Sequence, residues 1–371
     1  MNVRQNTMAI LHYEPHDGFP VVHFGFWGEL LQQWKAEGRI EGDLRHYSDE
    51  VRPELEKKLG FDFEWMSQYG PNRSLMPGFA REVLETYPDG KKKIRNSAGL
   101  VEIIRDGVVS IPETVGTTFS GRESWEREYK PRLQPSAQRQ NFEALDRLIA
   151  KQDAQTHRPV MLEAGSLMGI IRDMLGVEEL SYLYADDEDL YREIIDTVAA
   201  VQYDNVKTAL ERGLRPDVAH FWEDICYKNG PLVTPSVFAE FVGPHYRRIT
   251  SLLREYGCDI VSLDCDGCID SLLPIWLENG VNTMFPIEVG TWQASIAPWR
   301  EKYGKALRGV GGMNKNVFAM DYAAVDREIE RLRPLVELGG YIPCPDHRIP
   351  LGAKWENIQY YCERFRKVFS A

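Results

Sequence analysis

From residue 158 to the C-terminus, short apolar runs alternate with amphipathic helical segments, and no other feature of the sequence restricts the fold as strongly. The runs that predict strands are 159–166, 217–224, 259–266, 282–288, 306–312 and 339–344. Helical periodicity lies between and after them, at about 188–212, 235–256, 269–279, 320–337 and 354–369. Strands separated by helices in this way predict a parallel sheet with right-handed crossover connections.

An earlier apolar run at 20–27 predicts one more strand, followed by a helix from Trp27 to Gly38. With the six later units, this predicts an α/β fold of the (β/α)8 TIM-barrel type with an N-terminal extension. The alternative is a doubly wound open sheet, but no glycine-rich phosphate-binding loop follows the first strand. A chain of 371 residues can hold such a barrel in one piece, so we expect a single domain over 1–371.

Residues 40–135 depart from this regular alternation. Within this stretch, residues 96–116 alternate apolar and polar side chains around an Asp106-Gly107 turn, which is typical of a β-hairpin. Residues 117–140 are polar and rich in Arg, Glu, Ser and Pro. We therefore expect 40–135 to be a cap or insertion, outside the scaffold of regular βα units at 158–371.

The charge of the chain limits the classes of partner that it can bind. Its formal net charge of −12 repels phosphate backbones and anionic lipids, so we expect neither nucleic acid nor a membrane surface as a partner. No apolar run of about 18 residues predicts a membrane span, and 1–10 lack the apolar segment of a signal peptide. Six cysteines are too few for a disulfide scaffold of this size, so we expect a cytoplasmic protein. Whether it is a monomer or a homodimer stays open.

Nearly every predicted strand ends in ionisable or polar residues. These are Glu163 and Ser166; His220, Glu223 and Asp224; Asp264, Cys265 and Asp266; Glu288; Asn314 and Lys315; and Cys344, Asp346 and His347. In a barrel the C-terminal strand ends meet at one mouth, where barrel enzymes carry their active sites. The pattern therefore predicts an enzyme that acts on a small molecule, rather than a protein that only binds.

The motifs at these strand ends resemble the uroporphyrinogen decarboxylase superfamily, most closely its branch of corrinoid-dependent methyltransferases. They are 221–224 (FWED) with 229–232 (NGPL), 262–267 (SLDCDG), 285–288 (FPIE), 311–315 (GGMNK), and 339–341 (GGY) with 345–347 (PDH) and Pro350. The resemblance covers about 158–371 and implies a barrel that moves methyl groups to or from corrinoid proteins or thiols. Two departures matter: the arginine motif of the decarboxylases is missing from the N-terminus, and Asp264-Cys265-Asp266 stands where zinc methyltransferases carry a His-x-Cys pair.

Asp264 and Asp266 are two residues apart on a strand end, so their side chains are expected to point the same way. Two such carboxylates either bind a cation or raise one pKa for acid–base catalysis. Capping of the following helix is the alternative role for Asp266. His347 is the strongest single catalytic candidate, because imidazole both transfers protons and ligates metals. Glu223 is a further catalytic candidate, with pairing to a basic residue of the cap as its alternative.

These observations lead to the following expected site. The predicted catalytic residues are His347, Asp264, Asp266 and Glu223; the predicted metal ligands are Asp264, Asp266, Glu288 and His347; and the predicted substrate contacts are Trp27, Trp222, Asn314, Lys315 and Arg348. A salt bridge to Arg308 or Lys315 is the alternative for Glu288. Cys265 and Cys268 form a lone Cys-x-x-Cys, which we interpret as two small buried residues beside the site.

The expected reaction is the transfer of a methyl group from a small methylated substrate, such as a methoxyaromatic, to a corrinoid held by a carrier protein. A cation at the barrel mouth, expected to be zinc, would polarise the ether oxygen. The alternative is a decarboxylase of the same fold that uses no metal and protonates a carbanion from an Asp or His.

Overall fold

The computed structural model of the protein describes residues 1–105 and 112–370. The strands are β1 (Val22–His23), β2 (Phe63–Glu64), β3 (Glu82–Thr86), β4 (Lys91–Arg95), β5 (Leu100–Arg105), β6 (Glu113–Thr117), β7 (Met161–Gly165), β8 (Val218–Trp222), β9 (Cys226–Tyr227), β10 (Gly230–Pro231), β11 (Ile260–Asp264), β12 (Thr283–Phe285), β13 (Arg308–Met313) and β14 (Tyr341–Pro345). The α-helices are α1 (Val3–Leu11), α2 (Gly28–Ala36), α3 (Arg52–Leu59), α4 (Arg122–Ser124), α5 (Phe142–Ile149), α6 (Gly169–Leu175), α7 (Val177–Asp186), α8 (Glu188–Glu211), α9 (Pro235–Phe241), α10 (Gly243–Glu255), α11 (Leu273–Glu278), α12 (Val289–Trp292), α13 (Ile296–Tyr303), α14 (Tyr322–Val336) and α15 (Trp355–Phe369). Short 3₁₀ or π turns occupy Leu44–His46, Tyr47–Val51, Trp125–Tyr129, Lys130–Arg132, Ala137–Arg139, Gly304–Ala306 and Lys315–Ala319.

Six strands form one sheet in the order β14-β13-β12-β11-β8-β7. Every pair in it is parallel, and each strand overlaps one of the six runs predicted from the sequence. Helices lie between successive strands, so the predicted α/β class and the strand–helix alternation are confirmed. The register places Asp264, at the end of β11, directly beside Trp222 of β8 and Phe285 of β12.

The N-terminal strands are joined to this sheet by less extensive pairing. β1 and β2 pair with each other in parallel. Single parallel bridges connect Tyr69 to Leu162 of β7, and Phe26 to Ile349 beyond β14. The N-terminal segments therefore contact both edges of the six-stranded sheet, but the described strands do not form one continuous closed ladder. This differs from the regular barrel that we expected.

Residues 40–135 contain two different kinds of structure. Phe63–Glu64 pairs in parallel with β1, so this part belongs to the scaffold and not to a cap. Strands β3 to β6 form a separate four-stranded antiparallel sheet. Pairing of β5 with β6 confirms the strands of the predicted hairpin, and its Asp106-Gly107 turn lies outside the described residues.

The inner side of the parallel strands carries a compact apolar cluster. Its members come from α1, β1, β2 and the six-stranded sheet, and include Phe24, Phe63, Trp65, Phe285 and Ile342. Buried polar groups also lie in the middle of the strands: the Ser262 hydroxyl is 3.1 Å from Nδ1 of His220 and accepts the indole N–H of Trp65 at 3.1 Å. Among the described residues, no helix combines the length and the apolar character needed to span a lipid bilayer.

Candidate functional site

Three aspartates meet where the neighbouring strands β8 and β11 end. Asp264 is the last residue of β11, Asp266 lies two residues further on, and Asp224 lies two residues beyond β8. One carboxylate oxygen from each of the three lies within 4.8 Å of the others. The structure thus brings together the predicted pair Asp264 and Asp266. It adds Asp224, which the sequence placed at a strand end but not among the predicted ligands.

The carboxyl group of Asp264 is the most deeply placed of the three. The residue is 6% exposed, and its carboxyl has no hydrogen bond to any described residue. Burial, followed by the charges of Asp224 and Asp266, raises the pKa of Asp264 well above its ordinary value. Burial and the charge of Asp266 likewise raise the pKa of Asp224 from 3.8 to about 6. Three carboxylates this close need a shared cation or bound protons.

Asp266 connects the aspartates to His347. Its Oδ2 lies 3.1 Å from His347 Nε2, whereas its Oδ1 is buried and has no hydrogen-bond partner in the described chain. The imidazole stacks on Trp27, with ring centroids 5.6 Å apart and planes inclined by 17°. His347 therefore contacts the aspartate cluster through Asp266 but does not join the set that meets within 4.8 Å. The capping alternative for Asp266 is wrong, because α11 begins only at Leu273.

Glu223 is placed differently from what we expected of a catalytic residue. It is fully buried, and its carboxylate accepts hydrogen bonds at the start of α6. The donors are the backbone N–H groups of Leu167 and Met168 at 2.8 Å and of Gly169 at 2.6 Å, the Ser166 hydroxyl at 3.3 Å, and the Tyr246 hydroxyl. These donors occupy both oxygens, so Glu223 joins β8 to α6 and offers no free acceptor to a cation or a substrate.

The chain bends sharply after Glu223, and this bend turns Asp224 toward β11. Asp224 has a φ of +47°, a left-handed conformation that aspartate tolerates better than most residues. Gly169 allows the close approach of the two segments, because a Cβ there would overlap the backbone carbonyl of Glu223. The side chains of Glu223 and Asp224 therefore lie in different places: Glu223 is buried against α6, and Asp224 lies in the aspartate cluster.

Glu288 also holds the backbone in place and is not one of the three clustered carboxylates. Its Oε2 accepts the N–H of Gly267 at 2.6 Å, and its Oε1 accepts the Thr291 hydroxyl at 2.8 Å. The described chain contains no ion pair between Glu288 and Arg308 or Lys315, so neither alternative partner is used. Glu288 fixes the turn that follows Asp266 and reaches the cluster only through that turn.

Two predicted substrate contacts, Asn314 and Lys315, are engaged within the protein. The Lys315 ammonium lies 3.2 Å from Oδ1 of Asp346, which is 1% exposed. The other oxygen of Asp346 accepts the N–H of Gly290 at 2.8 Å. Asn314 caps the turn Lys315–Ala319 through a bond to the Asn316 N–H at 3.0 Å. These groups stabilise the loops beyond β13 and β14.

Two arginines that the sequence did not identify lie close to the rings of Trp222. The guanidinium carbons of Arg73 and Arg172 lie 4.9 Å and 5.4 Å from its ring centroids. Arg172 also donates to the backbone carbonyl of Asp224, and Arg73 pairs with Glu163. These contacts fix the Trp222 ring beside the cluster. Both arginines lie outside the strand-end motifs, so the sequence carried no signal for them.

A cavity of about 950 Å³ reaches the cluster from the antiparallel sheet. Residues of β5, β6, α6 and α7 line it, and Arg172 and Asp224 form part of its wall. Asp224 is therefore the member of the aspartate cluster that faces this space. The cavity offers a small molecule a route to the carboxylates between the added sheet and the parallel strands.

The cysteines beside the site do not provide a thiolate. All six cysteines are free. Burial and the neighbouring Cys226 raise the pKa of Cys265 well above its ordinary value, which keeps its thiol protonated. A Cys265 thiol packed at 2% exposure agrees with the interpretation of this residue as a small buried side chain.

Comparison with known proteins gives a shared fold and no shared family. No family model matches the chain, and no curated protein matches it. Among solved structures, a methyltransferase from Methanosarcina mazei matches with a TM-score of 0.65 and 14% identity, over 99% of each chain. A B12-independent methionine synthase from Shewanella sp. W3-18-1 gives a TM-score of 0.48 at 11% identity, over 95% of this chain and 98% of that one. A putative B12-independent methionine synthase from Listeria monocytogenes gives 0.45 at 13% identity, over 95% and 97%.

Proposed function

We propose that this protein is a methyltransferase that moves a methyl group from a small methylated substrate to a corrinoid on a carrier protein, with a divalent cation held by Asp224, Asp264 and Asp266. The cluster of three carboxylates within 4.8 Å is the observation that carries the proposal. Two further points support the reaction class: the strand-end motifs resemble corrinoid-dependent methyltransferases, and the fold is shared with the Methanosarcina mazei methyltransferase.

The proposal includes a complete barrel. The bridges of Tyr69 to Leu162 and of Phe26 to Ile349 both run parallel, and each connects an N-terminal segment to one edge of the six-stranded sheet. With β1 and β2 paired in parallel, these contacts would form the remaining side of a (β/α)8 arrangement. In such a barrel the aspartates would lie at the C-terminal mouth, which is the usual position of the active site.

The residues at the site fit a divalent cation. Three carboxylates provide oxygen ligands, which Mg²⁺, Ca²⁺ and Mn²⁺ prefer. The buried Oδ1 of Asp266 has no partner within the described chain, and a cation would satisfy it. Zinc also accepts carboxylate ligands, but it is more often bound with histidine or cysteine, and here the Cys265 thiol is held protonated. A bound cation would act as a Lewis acid on the atom that the methyl group leaves.

The protein groups around the cluster are suited to orient a substrate and supply a proton. His347 Nε2 lies 3.1 Å from Asp266 Oδ2, and a protonated His347 would donate its proton to the leaving group as the methyl departs. Trp27 holds the imidazole plane from one side. Trp222, which contacts Arg73 and Arg172, gives an aromatic surface beside the cluster. A metal-free decarboxylase is less well supported, because a substrate carboxylate would meet three acidic side chains.

Cation content tests the first half of the proposal. The purified protein would be stripped with EDTA, dialysed against Mg²⁺, Mn²⁺ or Zn²⁺, and assayed by elemental analysis and by calorimetric titration. We expect about one equivalent bound to the wild type and none to Asp264→Asn, while Asp153→Asn, which removes an exposed carboxylate in the turn after α5, binds as the wild type does. A folded wild type that takes up none of the three ions would contradict the cation site.

Methyl transfer tests the second half. Reduced cobalamin can stand in for the carrier-bound corrinoid, and 2-methoxyphenol for the substrate, with loss of the cob(I)alamin absorbance as the measurement. We expect methylcobalamin and the demethylated phenol in equal amounts with the cation-loaded wild type, and neither with Asp264→Asn. Production of CO2 from an aromatic carboxylic acid, with no methylcobalamin from any methylated substrate, would favour the decarboxylase instead.

A further inference from the structure

A second cavity, of about 430 Å³, lies beside α3 and β2 and is separate from the aspartate cluster. Several residues of its lining carry hydrogen-bond donors, and one carries a carboxylate. The donors are Tyr47, Arg52, Ser67, Arg158 and Arg348, and the carboxylate is that of Glu64. None of the three clustered aspartates contributes to this wall. The sequence predicted only one of these residues, Arg348, as a substrate contact.

The charge of this wall is positive, although the whole chain carries −12. Arg52 is neutralised by Glu64, with 2.8 Å between guanidinium nitrogen and carboxylate oxygen. Arg158 and Arg348 form no ion pair with any described carboxylate. Arg158 is only 4% exposed, and burial together with the charge of Arg52 lowers its pKa to about 10. A buried cation without a counter-ion is costly.

Three donors in this wall also have no acceptor. The Tyr47 hydroxyl, the Ser67 hydroxyl and Nε of Arg158 are buried, and none has a hydrogen-bond partner in the described chain. Nη2 of Arg158 donates to the backbone carbonyls of Glu64, at 3.1 Å, and Met66, so the part of its guanidinium that lacks an acceptor is Nε. Arg139, another buried arginine, has an acceptor on every branch. Its Nε donates to the Gln134 carbonyl at 2.8 Å and its other nitrogens donate to three further carbonyls, so every branch of its guanidinium is bonded.

We propose that this cavity binds a compact oxyanion: a phosphate, sulfonate or carboxylate group of a small ligand. Such a group would bring a counter-charge to Arg158 and Arg348. It would also accept hydrogen bonds from Tyr47 and Ser67. Arg348 directly follows His347 in the chain, so the cavity adjoins the aspartate site. The two sites differ in charge, because arginines line the cavity and carboxylates form the cluster. The inference does not depend on methyl transfer or on cation binding.

Titration of the whole protein with inorganic phosphate, and separately with benzoate, tests the inference, with calorimetry as the measurement. Arg348→Gln removes an exposed charge and should fold normally. We expect saturable binding of at least one of the two anions to the wild type and about tenfold weaker binding to this variant, as the loss of one charge-assisted hydrogen bond implies. Arg333→Gln, an equal loss of surface charge on α14, should bind as the wild type does.

The two probes separate the sources of the anion. Tighter phosphate binding would identify a phosphoryl group, and tighter benzoate binding a carboxylate on an organic ligand. Tyr47→Phe gives an independent check, because it removes a hydroxyl that is unsatisfied in the ligand-free protein. We expect it to weaken anion binding without lowering the unfolding midpoint. Absence of binding by both anions, equal affinity in Arg348→Gln and Arg333→Gln, or a Tyr47→Phe variant that is less stable but binds normally would overturn the proposal.

Discussion

Replacement of Asp224 by asparagine tests whether repulsion among the three clustered carboxylates lowers the stability of the folded protein. Burial and the charge of Asp266 raise the pKa of Asp224 from 3.8 to about 6. The folded protein therefore keeps a proton on Asp224 at pH values where the unfolded chain has lost it. Below about pH 4 Asp224 is protonated in both the folded and the unfolded chain, so it does not lower the free energy of unfolding. As the pH rises from about 4 to about 6, Asp224 lowers the free energy of unfolding progressively, and above about pH 6 the full loss is present. A shift of this size corresponds to about 3 kcal/mol.

The Asp224→Asn substitution keeps the shape of the side chain and removes its charge. Asparagine also tolerates the left-handed conformation at this position, so the substitution adds no backbone strain. In EDTA at pH 8, Asp224→Asn should raise the free energy of unfolding by up to about 3 kcal/mol. For a chain of 371 residues the unfolding entropy is about 0.8 kcal/mol/K, so the melting temperature should rise by about 4 °C.

Thermal melts at pH 4 and pH 8, followed by circular dichroism, would measure this difference. The variant should match the wild type at pH 4 and exceed it at pH 8, and Asp153→Asn should show no such dependence on pH. With saturating divalent cation the order at pH 8 should reverse, because the wild type then gains the free energy of binding. A variant that melts below the wild type in EDTA at pH 8 would refute the repulsion on which the site rests.

Three further substitutions separate structural from catalytic roles. Glu223→Gln should lower the free energy of unfolding by about 2–4 kcal/mol in urea titrations, because the backbone N–H donors at the start of α6 lose a charged acceptor. Gly169→Ala should cost about 3 kcal/mol or more in the same measurement, since a Cβ has no room beside the Glu223 carbonyl; unchanged stability would contradict the close approach. His347→Gln should leave cation content intact and reduce methyl transfer about 100-fold, whereas loss of the cation would make His347 a ligand.

The fold could be predicted from the sequence because its strands and helices are locally encoded. Apolar runs and helical periodicity placed all six strands of the parallel sheet and the long helix α8 (Glu188–Glu211), which was expected at 188–212. The pairing of Phe63–Glu64 with β1 was not predicted, because a two-residue strand leaves no periodic signal. The two bridges that join the N-terminal segments to the sheet involve single residues and are equally invisible in the sequence.

The site could be predicted only in part, because a position at a strand end does not show whether a carboxylate is already satisfied by backbone N–H groups of a neighbouring loop. Asp264 and Asp266 were predicted together, and they lie together. Glu223 was predicted as a catalytic residue and Asp224 was not, although Asp224 shares strand parity with Val218 of the inner cluster, whereas Glu223 shares parity with Phe221, which packs against Tyr246 of α10. Arg73 and Arg172 come from segments distant in sequence, and only the folded chain brings them to Trp222.

The acidic residues at the strand ends divide into two groups according to what satisfies their oxygens. Glu223, Glu288 and Asp346 each accept backbone N–H groups, and each thereby fixes a loop that follows a strand. Asp264 has no such donor, and Asp266 keeps a buried oxygen without a partner in the described chain. Saturated carboxylates thus fix the surrounding loops, whereas the repulsion among the central aspartates remains, and for Asp224 its shift corresponds to about 3 kcal/mol. The saturated residues keep the central aspartates close together, and a bound cation would offset the repulsion that this closeness creates.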